Sequence, residues 1–308
     1  MFMKKKLLVS IICFITIITL VFAGCTRLEQ KPTVFMWEVM AKEGTGKLYL
    51  LGSIHVGKSD LYPLNQVIND AYESSDVLAV EIDLTTALQN ANLSELMEKM
   101  MYTDGTTLKD HISPELYEKT SAVMEKYGII PLIYDKMKPF ALSSTILDFQ
   151  VQEWGYSNEY GIDMYFLTRA HEEGKKIVEI ESMEFQYDML SGFSDEIQEL
   201  MLKSSLEDET MGKEEMDKLF SIWAAGDVAA LEALYATEDD NLAEEELVFY
   251  AEYSKAMFDD RNIHMAQKAE EYLAEGHTTF YVVGAAHMIG DTGIVKLLKD
   301  KGYKVRQK

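Results

Sequence analysis

Two histidines are delivered by the same device at opposite ends of this chain, in Gly52-Ser53-Ile54-His55 and Gly284-Ala285-Ala286-His287. Each motif sits in an apolar run, KLYLLGSIHVG over Lys47–Gly57 and TTFYVVGAAHMIG over Thr278–Gly290. Two further runs end in acids: Glu81 in DVLAVEID and Glu181 in KIVEIE. Two imidazoles with carboxylates suit a divalent transition metal such as Zn²⁺, Mn²⁺ or Fe²⁺. With an open coordination position, such an ion acidifies a water and polarises a carbonyl, and a nearby carboxylate can act as general base. Taken singly, each histidine also reads as a hydrogen-bonded structural residue and each glutamate as a strand-end charge paired with a lysine. The repetition of the motif is what favours a shared site. Arg261-Asn262 follows Asp259-Asp260 at the start of the last long helical stretch. Spacing alone makes it a capped helix end with salt-bridged charges. The functional alternative is an arginine that holds a substrate carboxylate or an oxyanion.

The elements that must position these residues read as an α/β fold with a central, mostly parallel sheet. Continuous apolar runs mark buried strands, and in open α/β sheets ligands bind beyond the strands' C-terminal ends. The glycine of each motif is expected to turn the chain sharply and let its histidine project there. Val34–Met40 and Leu48–Ser53 flank a Gly-rich turn and predict an N-terminal β-hairpin. A helix opening at Pro63 leads to the strand Asp76–Asp83, so the strand bearing Glu81 should run parallel to the one before His55. Three-and-four apolar spacing predicts helices over Thr85–Met101, Pro114–Tyr127, Pro139–Glu153 and Glu159–Glu173. Lys176–Glu181 is a third strand. Ser194–Glu275 reads as all-helical, acidic and Met-rich, with a cap over the sheet at roughly 194–258. After the second histidine motif come a helix over Thr292–Lys301 and a last strand, Tyr303–Arg306. His111, His171, His264 and His277 fall in polar or helical settings and read as solvated.

At 308 residues and 47% hydrophobic content the chain has ample material for a core, and its net charge is −23. So acidic a chain is a poor partner for nucleic acid or an anionic membrane surface. The amino terminus is read as a signal peptide over 1–24: Lys4-Lys5-Lys6, the apolar Leu7–Val21, then Phe22-Ala23-Gly24-Cys25. Small residues before Cys25 resemble a bacterial lipobox, although Phe22 is less usual there than leucine. Processing would leave Cys25 lipidated, 25–33 as a tether and 34–308 as the folded domain on the extracytoplasmic side of the membrane. The net charge would then move to −26 with the loss of three lysines. An uncleaved N-terminal anchor is the competing reading. Cys13 lies in the discarded segment, so neither a disulfide nor a cysteine nucleophile nor a cysteine-ligated zinc is expected. There is no phosphate-binding Gly-rich loop, no Gly-x-Ser-x-Gly elbow and no His-Glu-x-x-His helix.

These blocks resemble the TraB/PrgY/GumN family, which includes the Tiki proteins that act on Wnt. The likeness covers nearly all of the mature chain. It rests on Leu50–His55, Glu81, Tyr160-Gly161-Ile162-Asp163, Val178–Ser182 with Gln186, Arg261-Asn262 and Val283–His287. Ser53 stands where members often carry threonine. The resemblance implies a fold similar to that of erythromycin esterases and haem-binding ChaN lipoproteins. It implies that His55, Glu81 and His287 correspond to the family's functional His, Glu and His, with Glu181 and Arg261 added as site residues. Tiki proteins are described as metal-dependent proteases favouring manganese or cobalt, while PrgY and TraB are linked to dampening a peptide pheromone. The expectation is therefore a membrane-tethered hydrolase using Mn, Co or Zn on peptides or protein segments. The alternative is a lipoprotein that sequesters a peptide or binds haem without turnover.

Overall fold

The computed structural model describes residues 33–87, 92–206, 209–235 and 244–308. The segments read as signal peptide and tether, with Cys25, lie outside them except for Thr33. A six-stranded sheet forms the centre, in the order β4-β3-β5-β2-β1-β6. Its strands are β1 (Met36–Met40), β2 (Lys47–Ser53), β3 (Val77–Val80), β4 (Lys176–Glu179), β5 (Thr278–Gly284) and β6 (Lys304–Gln307). The pairings β4/β3, β3/β5 and β5/β2 are parallel, whereas β1 is antiparallel to both β2 and β6. The hairpin expected at the start is thus β1–β2. The strands before His55 and Glu81 run in the same direction, with β5 inserted between them. That insertion brings the second histidine motif into the middle of the sheet.

Residues of β2, β3 and β5 are almost all buried, which is why they read as unbroken apolar runs. The helix Ile162–Glu173 packs Phe166, Leu167 and Ala170 into the core that these strands share, and Asp260–Ala274 adds Met265, Ala266, Ala269 and Leu273. Pro139–Glu153 and Pro114–Lys126 build a second cluster around Phe140, Leu142, Ile146 and Met124. The helix expected over Thr85–Met101 is seen over Leu93–Met100, while Asp83 Oδ1 accepts hydrogen bonds from the Thr85 N–H and hydroxyl and holds that segment in a turn. Residues 88–91 lie outside the described part. The helix expected from Pro63 begins at Gln66, because the Asn65 side chain caps it by accepting from the Val67 N–H.

Beyond Ser194 the described residues are helical up to Ala274 apart from short links. The helix Glu209–Ala224 is tied to the sheet by Trp223, whose buried indole N–H donates to the Gly52 carbonyl at 2.6 Å. Trp223, Leu231 and Leu234 belong to the same core cluster as the strands. No helix among the described residues is long and apolar enough to cross a membrane.

The motif glycines do not make sharp turns. Gly52 lies inside β2 and Gly284 ends β5 at φ −49°, so neither needs the left-handed region. Gly52 serves close approach instead: a Cβ there would fall 2.7 Å from the Phe35 ring and 2.9 Å from the Ala285 backbone. Gly52→Ala is expected to lower stability by about 1–3 kcal/mol through overpacking. Urea unfolding followed by tryptophan fluorescence measures this, and an unchanged midpoint would contradict the account.

Candidate active site

Four of the five residues singled out in the sequence stand at the ends of adjacent strands. Across the sheet they run Glu181 beyond β4, Glu81 beyond β3, His287 beyond β5 and His55 beyond β2. Backbone pairing continues past β3 and β4, with the Glu181 N–H donating to the Glu81 carbonyl at 3.0 Å, so both carboxylates leave the same lip. The fifth residue, Arg261, reaches that lip from the first turn of the helix Asp260–Ala274. Its Nη2 donates to Glu81 Oε2 at 2.7 Å and to Glu181 Oε2 at 2.8 Å, and its Nε donates to Glu181 Oε1 at 2.9 Å. Nη1 donates to the Met257 carbonyl. Arg261 as a whole is only 5% exposed.

The helix of Arg261 has no capped start, contrary to the spacing argument. Helical backbone continues from Glu244–Ser254 through a π-helical turn, Lys255–Asp259, into Asp260–Ala274. Asp259 makes no capping bond and instead accepts from the Thr292 hydroxyl. π-turns widen a helix by one residue per turn and recur at functional sites. Here the turn supplies the Met257 carbonyl to Arg261 and sets Phe258 5.6 Å from the His287 ring.

Each histidine is oriented through Nδ1. Asp163, in the first turn of Ile162–Glu173, accepts from His55 Nδ1 at 2.9 Å and from the Ser53 hydroxyl at 2.7 Å. The Asn262 side-chain oxygen accepts from His287 Nδ1 at 2.6 Å. With Nδ1 protonated in both rings, Nε2 is left to face the site. Glu81 Oε1 accepts the Gly284 N–H at 2.7 Å, and Gln186 Nε2 bridges Glu81 and Glu181. Asp163, Asn262, Gln186 and Ser53 are partners that residue-by-residue reading gave no role. Ser53, Asp163 and Asn262 are buried polar groups and Gln186 is half-buried; all four positions fall in the blocks that carry the resemblance, but their roles are visible only once neighbours are known.

The three innermost groups surround one small space. A Cβ on Gly284 would lie 3.5 Å from Glu81 Oε1, 3.5 Å from the His287 ring and 3.6 Å from His55 Nε2. Among the described residues no three His, Cys, Asp or Glu side chains already stand together as a metal centre. The donor types nevertheless fit a divalent cation: two imidazoles and a carboxylate oxygen line a glycine-walled gap, with His55 a ligand only once it has given up its Nε2 proton. Formal charge agrees, since Glu81, Glu181 and Asp163 against Arg261 leave −2 when both imidazoles are neutral.

The two rings differ in electrostatics. Burial lowers His287 to about 4, with Glu81 opposing and Arg261 assisting. The Asp163 carboxylate raises His55 to about 9 against the effect of desolvation. The His55 side chain keeps 61% of its surface in solvent, so water screens this pair. Burial works to raise Glu81, but His287, His55, Arg261 and the Gly284 N–H outweigh it and hold the carboxyl at about 2. Since His287 is neutral at pH 7, the charges acting on Glu81 there are those of Arg261 and His55.

Among the remaining histidines, His264 and His171 are exposed at the surface, His171 against Asp83 and Thr85. His111 is not simply solvated: it stacks on Tyr102 and is held by Asp195 and Thr106.

An α/β protein with a His/Glu/His constellation on the C-terminal lip of a parallel sheet is thus defined by fold and site together. The chain belongs to the TraB/PrgY/gumN family, whose model matches residues 35–307. The uncharacterized protein YbaP of Escherichia coli (strain K12) is 29% identical over 148 residues, 48% of this chain and 53% of the relative. YbaP of Shigella flexneri gives the same identity and coverage. The chain therefore spans about half the length of the curated relatives it matches. No solved structure matches it.

In metal-free protein, the depressed His287 means that the unfolded chain takes up a proton between pH 6.5 and about 4 while the folded chain does not. Stability from this group is present above pH 6.5 and is lost as pH falls, by up to about 3 kcal/mol. Urea midpoints at pH 6.5 and 4.5 in chelator should fall less for His287→Gln than for the parent. Equal slopes would show that His287 is not buried neutral.

Proposed function

We propose that this chain is a membrane-tethered, metal-dependent hydrolase acting on peptides or short protein segments. The observation that carries the reading is the glycine-walled gap ringed by Glu81 Oε1, His55 Nε2 and the His287 ring. His55, His287 and Glu81 would hold the cation. When bound, a divalent transition metal (Mn, Co or Zn) supplies Lewis-acid polarisation of a substrate carbonyl and an acidified water.

The protein's own groups do the rest. Asp163 and Asn262 fix the imidazoles with Nε2 toward the gap, as outer partners of ligating histidines do. Arg261, Glu181 and Gln186 fix Glu81 Oε2 and leave Oε1 toward the histidines. Because Nε and Nη2 of Arg261 are already committed to the two carboxylates, we assign this residue to positioning Glu81 rather than to a substrate oxyanion. Glu181, buried beneath the same guanidinium, balances its charge. His55 is the open side of the site, from which a peptide carbonyl would approach.

The first test is elemental analysis of protein purified without chelator or a histidine tag. About one transition metal per chain is expected, and loss of that metal with retained circular dichroism in His55→Ala/His287→Ala. Gly284→Ala is the sharper variant: its methyl makes only ordinary contacts, so folding should survive while metal uptake and peptide hydrolysis fail. Metal and activity retained at the parent level in both variants would sink the assignment. No uptake of Mn²⁺, Co²⁺ or Zn²⁺ by the parent would move it to peptide or haem binding.

The tether in this proposal is a lipid on Cys25, supported by the basic, apolar and small-residue order of residues 4–25. Cys25→Ala should move the protein out of the lipid-modified pool in a palmitate-labelling experiment. Unchanged labelling would overturn the lipid anchor.

A further inference from the structure

A cavity of about 430 Å³ opens on the solvent side of His55. His55 and its partner Asp163 form part of the wall, so a molecule handled at the His55 ring would extend into this space. Leu84 and Met164 give the cavity apolar surface. Its polar lining is Asp148, Asn158 and Glu159, and among the described residues no lysine or arginine contributes to it.

These features fit one kind of guest. An apolar wall takes an aliphatic stem, and a lining in which Asp148, Glu159 and Asp163 outnumber the one cationic group, the His55 imidazolium already paired with Asp163, takes a positive end. Lysine and arginine side chains have that construction, and 430 Å³ leaves room for either. Partial desolvation raises the Asp148 carboxyl, with Asn158 opposing by a hydrogen bond, although the residue as a whole stays exposed. A cationic group placed beside it would relieve that cost. Leu84 is 45% exposed, an apolar surface that a bound stem would cover.

We propose that this cavity is the specificity pocket of the site and receives a lysine or arginine side chain of a peptide ligand, with Asp148 and Glu159 as its charge partners. The inference rests on the reading of the His/Glu/His site as the place where a peptide is handled. It adds what kind of peptide. The chain's general acidity does not make the same prediction, because it attracts cations without regard to the length of an aliphatic stem or to two particular carboxylates.

The test is equilibrium binding of short fluorescent peptides, blocked at both termini and differing at one position: lysine, arginine, norleucine or glutamate. Full-length protein is used at 0.15 M salt, where the screening length of about 8 Å suppresses long-range attraction. Lysine and arginine peptides should bind on the order of tenfold tighter than the norleucine peptide, and glutamate weakest. Asp148→Asn/Glu159→Gln should remove most of that preference with circular dichroism unchanged. Glu118→Gln/Glu125→Gln, which removes two exposed acids outside the cavity lining, should leave it intact. Equal binding of all four peptides overturns the proposal. So does a preference that survives the Asp148/Glu159 variant, or one that the Glu118/Glu125 control removes equally. Cation-selective binding without cleavage would support the pocket and count against the hydrolase. Metal-dependent cleavage without cation preference would do the reverse.

Discussion

The arrangement depends on one buried ion cluster, the Arg261 guanidinium between Glu81 and Glu181. Two carboxylates at the ends of neighbouring parallel strands would repel each other and suffer desolvation, and one would take up a proton. A guanidinium satisfies both because its planar fork presents Nε and Nη2 to one carboxylate and Nη2 to the other. A lysine has neither the geometry nor the number of donors. Buried ion clusters of this kind add little net stability relative to apolar packing, but losing one partner costs about 3–5 kcal/mol. Its persistence in the centre of a well-packed sheet is therefore better explained by what it holds in place. What it holds is Glu81, pinned at one oxygen by Arg261 and Gln186 and at the other by the Gly284 N–H.

Strand ends were the most legible part of the sequence. β2, β3 and β5 are buried on both faces, so they appear as apolar runs, and the residues that follow them are necessarily at the lip. Which strands are neighbours was not legible. Local patterning shows that β2 and β3 are parallel, but the seat of β5 between them is set by pairings across more than 200 positions of sequence. The roles of the supporting groups stayed hidden for the same reason, although their positions lie in the blocks that carry the resemblance. Asp163 and Asn262 read as polar residues in helical first turns, where aspartate and asparagine are common for local reasons. Their role depends on His55 and His287, 108 and 25 residues away. The π-turn before Arg261 left no signal in the apolar spacing. Asp259 and Asp260 imitated a cap that the backbone does not use.

Two copies of one motif also reached opposite environments. His287 follows β5 in the interior of the sheet and is covered by Asn262 and Phe258 from the helical segment around the π-turn. His55 follows β2 with Asp163 bonded to its Nδ1, and its ring borders a cavity. Sequence similarity between the motifs thus predicts their shared projection but not their shared protonation. The difference is one of burial and partner charge: burial of the His287 ring favours the neutral imidazole, and a carboxylate beside the open His55 ring favours the imidazolium. A cation at the gap would meet one ring already neutral and would have to displace a proton from the other.

That asymmetry gives the site a direction. The buried side is a wall of two hydrogen-bonded groups, Arg261 and Gln186 with Glu81 and Glu181, and Asn262 with His287. The wall closes at Gly284, where the absence of a side chain keeps the space between the three inner groups open. Gly52, at the same place in the other motif, does something different, admitting Phe35 and the Ala285 backbone into close contact. The pair of glycines is therefore the physical content of the repeated motif. One lets β2 seat tightly against Phe35 and Ala285, and the other leaves the space between Glu81, His287 and His55 unfilled.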